Sequence, residues 1–119
     1  GHRKLNNLCI ILDRNKLQID GCVEEIKSEE PIAEKLRAFN YNVLRIDGHN
    51  YSQILQAFAL FKQTKDKPTF IIAETVKGKG VSFMENNVDF HGKAPNSDEL
   101  ERGLKELDNH LLKIGSEKN

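Results

Sequence analysis

Three short apolar stretches, separated by segments of helical pattern, place the strongest constraint on the fold of this chain. Thr69–Glu74 (TFIIAE) follows Pro68 and has the strongest strand character, and Asn42–Asp47 (NVLRID) is a second predicted strand. Leu8–Leu12 is a continuous apolar run, typical of a parallel strand that is covered on both faces. Strands that alternate with helices imply right-handed crossovers and parallel pairing. The pattern therefore predicts an α/β fold in which helices flank a parallel β-sheet.

The first predicted helix lies between the first two strands. Ser28 is the predicted N-cap, because its hydroxyl can accept a backbone N–H of the first turn. Ile32, Leu36 and Phe39 follow at helical spacing and form one apolar face. Asn40 is expected to end the helix, since asparagine tolerates the left-handed conformation.

Two further helices follow the second and third strands. Asn50 is the predicted cap of the first of them, which ends near Thr64. Asn96 and Glu99 form a capping box at the start of the last helix. Gly103 is a mild defect in that helix, and residues 115–119 are expected to fray. The predicted apolar stripes are Ile54, Leu55, Phe58 and Phe61 in the earlier helix and Leu100, Leu104, Leu107 and Leu111 in the later one.

Length and composition limit the classes of function. The 119 residues suit a single domain over 1–119, and 18 basic residues balance 18 acidic ones. This balance gives no indication of a nucleic-acid partner, and no apolar run approaches the ~20 residues that span a bilayer. Cys9 lies in an apolar run and is expected to be a buried thiol, and Cys22 lies in a different context. A disulfide framework is not expected, so we predict a reducing, cytoplasmic environment.

Ligands of open parallel α/β sheets bind beyond the carboxyl ends of the strands, and polar segments with glycine fall at these ends. The first of these polar segments lies within Arg14–Lys27, which is predicted to be a loop. Its residue Asn15 has an amide oxygen of the kind that Mg²⁺ or Ca²⁺ accepts. The backbone carbonyl of Leu17 could be a second ligand. The alternative is that Asn15 is a turn residue that bonds its own backbone.

Two other segments could bind an anion or move a proton. Lys77 and Lys79 alternate with glycines (KGKG), a pattern that suits a phosphate but also occurs in a basic surface loop. His91 lies between an aromatic residue and a glycine, where it could bond a hydroxyl or a phosphate or could simply be solvated. The four histidines have no zinc-ligand spacing with the cysteines.

Three motifs together resemble the thiamine-diphosphate-binding domain of transketolase. They are KLNNLCIILDRNKLQIDG, ETVKGKGVSFMENN and FHGKAPN, and the resemblance extends from about residue 2 to about residue 111. The sequences of these motifs are most similar to the amino-terminal section of the split bacterial form of the enzyme. The resemblance implies part of a three-layer α/β/α fold that binds thiamine diphosphate and Mg²⁺.

The resemblance also implies roles for five residues. Asn15, with the carbonyl of Leu17, would hold the Mg²⁺ that binds the diphosphate, and Ile19 would pack against the thiazolium ring. Lys77 would lie near the diphosphate. His91 would reach both the diphosphate and the hydroxyls of the substrate, as a cofactor-binding and catalytic residue. The family reaction transfers a two-carbon ketol unit from a ketose phosphate to an aldose phosphate.

The chain departs from the family pattern because it has no Gly-Asp-Gly motif and so lacks the first carboxylate ligand of the metal. We therefore expect a fragment, the carboxy-terminal part of the cofactor domain, that is inactive alone and binds the cofactor weakly or not at all. The expected partners are the missing upstream half, the carboxy-terminal transketolase section and sugar phosphates. An uncovered sheet edge would favour a homodimer. The alternatives are a non-catalytic α/β scaffold or interaction module and a different thiamine-diphosphate enzyme, such as a keto-acid dehydrogenase component or deoxyxylulose-phosphate synthase.

Overall fold

The predicted strand Thr69–Glu74 is the central strand of a parallel sheet in the computed structural model, which describes residues 1–116. In chain order, the strands are β1 (Cys9–Arg14), β2 (Leu17–Gln18), β3 (Gly21–Cys22), β4 (Asn42–Asp47) and β5 (Thr69–Glu74). The helices are α1 (Val23–Lys27), α2 (Ile32–Ala38), α3 (Tyr51–Gln63) and α4 (Ser97–Ser116), and a 3₁₀ turn spans Val88–His91. The main sheet has the order β1-β5-β4, which confirms the predicted parallel α/β architecture.

The core of the molecule is formed by β5 and the helices on either side of the sheet. Ile71 and Ile72 are 2% and 0% exposed. Successive strand residues point to opposite faces. Ile32 of α2 lines a cavity with Leu12, whereas α3 lines a cavity on the other face. The two helices therefore cover opposite faces of the sheet.

Three of the predicted helix boundaries are confirmed. The side chain of Asn50 accepts the N–H of Gln53 at 3.1 Å and caps α3. Asn96 accepts the N–H of Glu99 at 2.9 Å, and Glu99 accepts the N–H of Asn96 at 2.8 Å, as in a capping box. Asn40 follows α2 with a φ of 65°, in the left-handed region that asparagine tolerates.

The predicted loop Arg14–Lys27 is wrong. This segment instead contains the antiparallel hairpin β2–β3 and the short helix α1. The prediction missed them because each is only two to five residues long, too short for a period to be visible in the sequence.

The predicted cap at Ser28 is also wrong. Ser28 ends α1, and α2 begins at Ile32, whose N–H donates to the carboxylate of Glu30 at 3.1 Å. A glutamate two residues before the helix therefore satisfies the donor that the serine was expected to satisfy.

The first strand is less buried than its apolar sequence predicts. Ile11 is 55% exposed, and Cys9 is half-buried, so that partial burial raises the pKa of its thiol. The reason is position, because α2 and α3 pack mainly against β4 and leave part of β1 open. Phe39 and Leu55, which belong to the predicted apolar faces of two helices, are also exposed, at 72% and 69%.

The last helix packs against the loop that follows β5. Gly103 is buried there and faces Val81, whose methyl group would lie 3.5 Å from an added Cβ, an ordinary van der Waals distance. The helix continues through Gly115 and Ser116, which were expected to fray, and residues 117–119 lie outside the described part. Within residues 1–116, no helix combines the length and the apolar character needed to cross a membrane.

Candidate functional site

The loops that leave the three long strands are joined at the carboxyl edge of the sheet. The hydroxyl of Thr75, just after β5, donates to a carboxylate oxygen of Asp13. The Thr75 N–H donates to the carbonyl of Arg14 at 3.2 Å, and the Gly48 N–H donates to the carbonyl of Glu74 at 2.7 Å. The chain segments that carry the predicted site residues are therefore held against one another.

A cavity of about 240 Å³ opens at this edge. It is lined by Asn15, Leu17, Gln18, Ile19, Lys77, Val88 and His91. All five residues singled out from the sequence line this one cavity, although they come from segments more than 70 positions apart in the chain. Gln18 and Val88 were not predicted, because their residue types carry no signal of a binding role. The chemical roles of the five residues stay predictions.

Asn15 forms the turn that was the alternative to a metal-binding role. Its amide oxygen accepts the N–H of Leu17 at 3.0 Å, and Lys16 between them has a φ of 64°. The bond orients the amide oxygen and leaves it a second lone pair. The turn therefore positions the amide oxygen without using all of its capacity to bind.

Ile19 lies at the tip of the β2–β3 hairpin in a strained conformation. Its φ is 27°, which is unusual for a β-branched side chain, and the residue is 65% exposed. Glycine, asparagine or aspartate normally occupies such a turn position. The turn therefore places an exposed isoleucine side chain on the wall of the cavity.

The KGKG segment does not form the simple anion nest that its sequence indicates. The Gly80 N–H donates to Glu85 at 3.0 Å, and the ammonium group of Lys79 lies 3.6 Å from the same carboxylate. The bond from Gly80, with help from Lys79, lowers the pKa of Glu85. Lys77 is the member of the pair that faces the cavity, and it forms no ion pair with residues 1–116.

Gly78 is required by the close packing of the same loop. Its φ is 72°, and an added Cβ would collide with the carbonyl of Met84. The loop therefore folds back on itself directly after Lys77.

His91 ends the 3₁₀ turn on the far wall of the cavity. The turn is capped by Asn87, whose side chain accepts the N–H of Asp89 at 3.0 Å. Phe90 packs against Phe83 with ring centroids 5.7 Å apart. The imidazole of His91 makes no hydrogen bond to the described part of the chain, so its nitrogens are available to a ligand.

A network of charges supports the Asn15 turn from the other side. Arg14 donates to Glu74 at 3.1 Å and to Glu30 at 2.5 Å, and it lies 3.4 Å from Glu24. Burial opposes the charge of Arg14, but the hydrogen bond and the charge of Glu74 outweigh burial and raise its pKa. Arg45 lies 3.3 Å from the buried Oε1 of Glu74 without hydrogen-bond geometry. No sequence pattern indicated this network, because its members come from separate segments of the chain.

The residues of the cavity fit the cofactor better than they fit the metal. Lys77 and His91 can donate to a diphosphate, and Ile19 offers an apolar contact for a ring. For Mg²⁺ the cavity offers the amide oxygen of Asn15 and the Leu17 carbonyl, and its lining includes no carboxylate. No cluster of three or more metal-ligating side chains occurs within residues 1–116. Because Mg²⁺ requires near-octahedral oxygen ligation, these residues form only one side of a metal site.

Comparison with known proteins defines the family. The family model for "Transketolase, thiamine diphosphate binding domain" matches residues 1–110. An apulose-4-phosphate transketolase subunit from Phocaeicola vulgatus is 37% identical over 98% of this chain and 41% of its own length. A 6-deoxy-6-sulfo-D-fructose transketolase subunit from a Clostridium species is 44% identical over 76% of this chain and 33% of its own length.

Solved structures agree with the sequence comparisons. The crystal structure of transketolase from Campylobacter jejuni superposes with a TM-score of 0.84 at 30% identity, over 91% of this chain and 17% of that one. These matches, together with the parallel sheet and its flanking helices, place this chain in the class of thiamine-diphosphate-binding α/β domains. More narrowly, the chain belongs to the transketolase family. It spans less than half the length of each of these relatives.

Proposed function

We propose that this chain is the carboxy-terminal part of a thiamine-diphosphate-binding domain in a transketolase of the split bacterial form. In the intact enzyme it would help to transfer a two-carbon ketol unit from a ketose phosphate to an aldose phosphate. The observation that carries the proposal is the single cavity lined by Asn15, Leu17, Ile19, Lys77 and His91. The identity of the sugars is left open, because the substrates named for the relatives belong to those proteins.

The residues of the hairpin would orient the cofactor. Ile19 would contact the thiazolium ring and exclude water from one side of it. The amide oxygen of Asn15, already oriented by the Leu17 N–H, would be one Mg²⁺ ligand, and the Leu17 carbonyl would be another. The bound cofactor would supply the covalent chemistry of the reaction, the capture of a ketose carbonyl.

The opposite wall would supply charge and hydrogen bonds. Lys77 would place a positive charge beside the diphosphate, where an ammonium group acts as a point charge. His91 would donate to a phosphate oxygen or to a substrate hydroxyl and could hold or release a proton at an imidazole nitrogen. The capped 3₁₀ turn places His91 on the wall of the cavity.

The incomplete metal site predicts dependence on partners. A carboxylate and the remaining ligands would come from an upstream half of the domain. The open part of β1 offers a surface on which that half, or a second copy of this chain, could pack. The isolated chain should therefore bind thiamine diphosphate weakly, and the carboxy-terminal transketolase section would be needed for turnover.

Calorimetric titration with thiamine diphosphate and Mg²⁺ tests this proposal. The 119-residue chain should give little heat, whereas a version extended by the upstream region of the Phocaeicola vulgatus relative should bind. In the extended protein, Asn15→Ala should weaken Mg²⁺-dependent binding about tenfold or more. The matched control is Asn6→Ala, because Asn6 bonds the Lys65 carbonyl away from the cavity. Unchanged binding in Asn15→Ala would reject the metal-ligand role.

The substrate role of His91 needs a separate measurement. In an assembled enzyme, His91→Ala should lower turnover far more than it lowers thermal stability, because the ring makes no hydrogen bond within the described chain. His110→Ala, on the exposed surface of α4, is the matched control. Equal turnover in the two variants would remove His91 from the proposed site.

A non-catalytic scaffold is the second candidate, because the open face of β1 suits association whether or not a cofactor binds. The same titration separates the two. A scaffold would bind no thiamine diphosphate even after the upstream region is supplied.

A further inference from the structure

His49 connects the turn after β4 to the loop after β5. Its Nε2 atom accepts the backbone N–H of Val76 at 2.8 Å. Its own backbone N–H donates to the carboxylate of Asp47 at 2.8 Å, which orients the turn. The neighbouring Gly48 packs so closely on Thr75 that an added Cβ would collide with the threonine methyl group. The imidazole is therefore held at a defined position over the chain that leaves β5.

The bonded amide immediately precedes Lys77, the cationic residue of the cavity. The backbone carbonyl of Lys77 itself accepts the N–H of Asn86 at 3.0 Å. The backbone of Lys77 is thus held by His49 before it and by Asn86 after it. Loss of the His49 bond would remove one of these restraints on the position of Lys77.

We propose that His49 is a positioning residue, which holds Lys77 in the cavity through the Val76 amide and does so only as a neutral imidazole. An imidazole nitrogen that accepts an N–H carries no proton, so the neutral ring must carry its proton on Nδ1. Protonation would put an N–H of the ring against the N–H of Val76 and break the contact. The link to diphosphate binding rests on the proposed function, whereas the hold on Val76 does not.

Amide hydrogen exchange in the 119-residue chain, followed by NMR, tests the hold on Val76. His49→Leu should lower the protection factor of the Val76 amide about tenfold, the effect of one lost hydrogen bond. His49→Gln should retain most of the protection, because its amide oxygen can accept the same N–H. His110→Leu is the control for a general effect of losing a histidine. Equal protection in wild type and His49→Leu would overturn the proposal.

Titration with inorganic pyrophosphate tests the consequence for the cavity. The NMR signals of Lys77 should respond in the wild type and in His49→Gln, with several-fold weaker affinity in His49→Leu. Unchanged affinity in His49→Leu would overturn the positioning role. If Lys77 does not respond in the wild type, the proposed diphosphate site fails and the ligand part of this proposal fails with it. The exchange measurement still decides whether His49 holds Val76.

Discussion

β1 and β5 have almost the same apolar content but very different environments. The sequences are CIILDR and TFIIAE, with four apolar residues in each, and the strands pair in register along their full length. Ile72 of β5 is 0% exposed, whereas Ile11 of β1 is 55% exposed. The difference arises because β5 has a strand on both sides, whereas within residues 1–116 β1 pairs only with β5 and is left partly open by α2 and α3, which pack mainly against β4. Burial of a strand therefore depends on its neighbours as much as on its own residues.

The two strands also have different roles: one forms the core of the sheet, and the other leads to the candidate site. β5 forms the core of the sheet, and β1 leads into the Asn15 turn and the hairpin that carries Ile19. Binding residues commonly lie on loops that a rigid element positions. The charge network around Arg14 joins the two strands at the edge where the cavity opens.

The largest expected effect comes from a matched pair of truncations. Ile72→Ala should lower the free energy of unfolding by about 2–5 kcal/mol, because it removes a fully buried side chain and leaves a cavity. Ile11→Ala should cost less than about 1 kcal/mol, because its side chain is already largely in water. Urea denaturation of the two variants measures the difference. Equal losses would mean that β1 is buried in solution, for example by self-association.

A smaller effect is expected where the ends of the two strands are joined. Arg14→Met keeps much of the apolar stem but removes the charge that pairs with Glu74, and it should cost about 1–2 kcal/mol. The control is Arg37→Met, because Arg37 forms an exposed pair with Glu34 that should contribute little. Chemical denaturation at low and high salt should show salt sensitivity for the partly buried Arg14 pair that differs from that of the surface pair. Similar losses in both variants would contradict a special role for Arg14.

Ile19→Gly should separate stability from binding at the end of β1. Glycine adopts a positive φ without steric cost, so the variant should gain up to about 1 kcal/mol in stability. The extended protein carrying this change should bind thiamine diphosphate more weakly, because the apolar contact is lost. Thermal unfolding and calorimetry together measure the two effects. A variant that is destabilised and binds normally would show that the isoleucine serves the fold.

The smallest expected effect is the loss of folding stability at low pH. The Ile32 N–H and then the charges of Arg14 and Arg45 lower the pKa of Glu30 below its usual value of 4.5. A carboxyl group with a lowered pKa stabilises the folded state above its unfolded-state pKa, and this contribution is lost as the pH falls through the folded-state pKa. Stability should therefore decline below about pH 4.5, and Glu30→Gln should show a shallower decline. Parallel acid titrations of wild type and Glu30→Gln, monitored by circular dichroism, would measure this difference in the decline. Identical curves would show that the contacts of ionised Glu30 with the Ile32 N–H and with Arg14 and Arg45 contribute nothing measurable.

Much of the fold could be predicted from local signals. Thr69–Glu74 is a strand in the structure with the predicted bounds, and Asn40, Asn50 and the Asn96–Glu99 pair occupy the helix ends they were assigned. These signals are local because a cap or a strand depends on neighbouring residues in the chain. The hairpin and α1 were missed because elements this short have no period, and the contact of Glu30 with the Ile32 N–H was missed because a side-chain contact leaves no pattern in the sequence.

The sequence by itself determined the parallel α/β architecture, the family and the candidate residues from Asn15 to His91. Only the tertiary structure decided that these residues line one cavity, that Lys77 and not Lys79 faces it, and that His49 bonds the loop that carries Lys77. It also decided that β1 is half-exposed. The physical reason is that hydrogen bonds and burial depend on which segments meet in space, and a pattern along the chain does not record which partner a side chain will find.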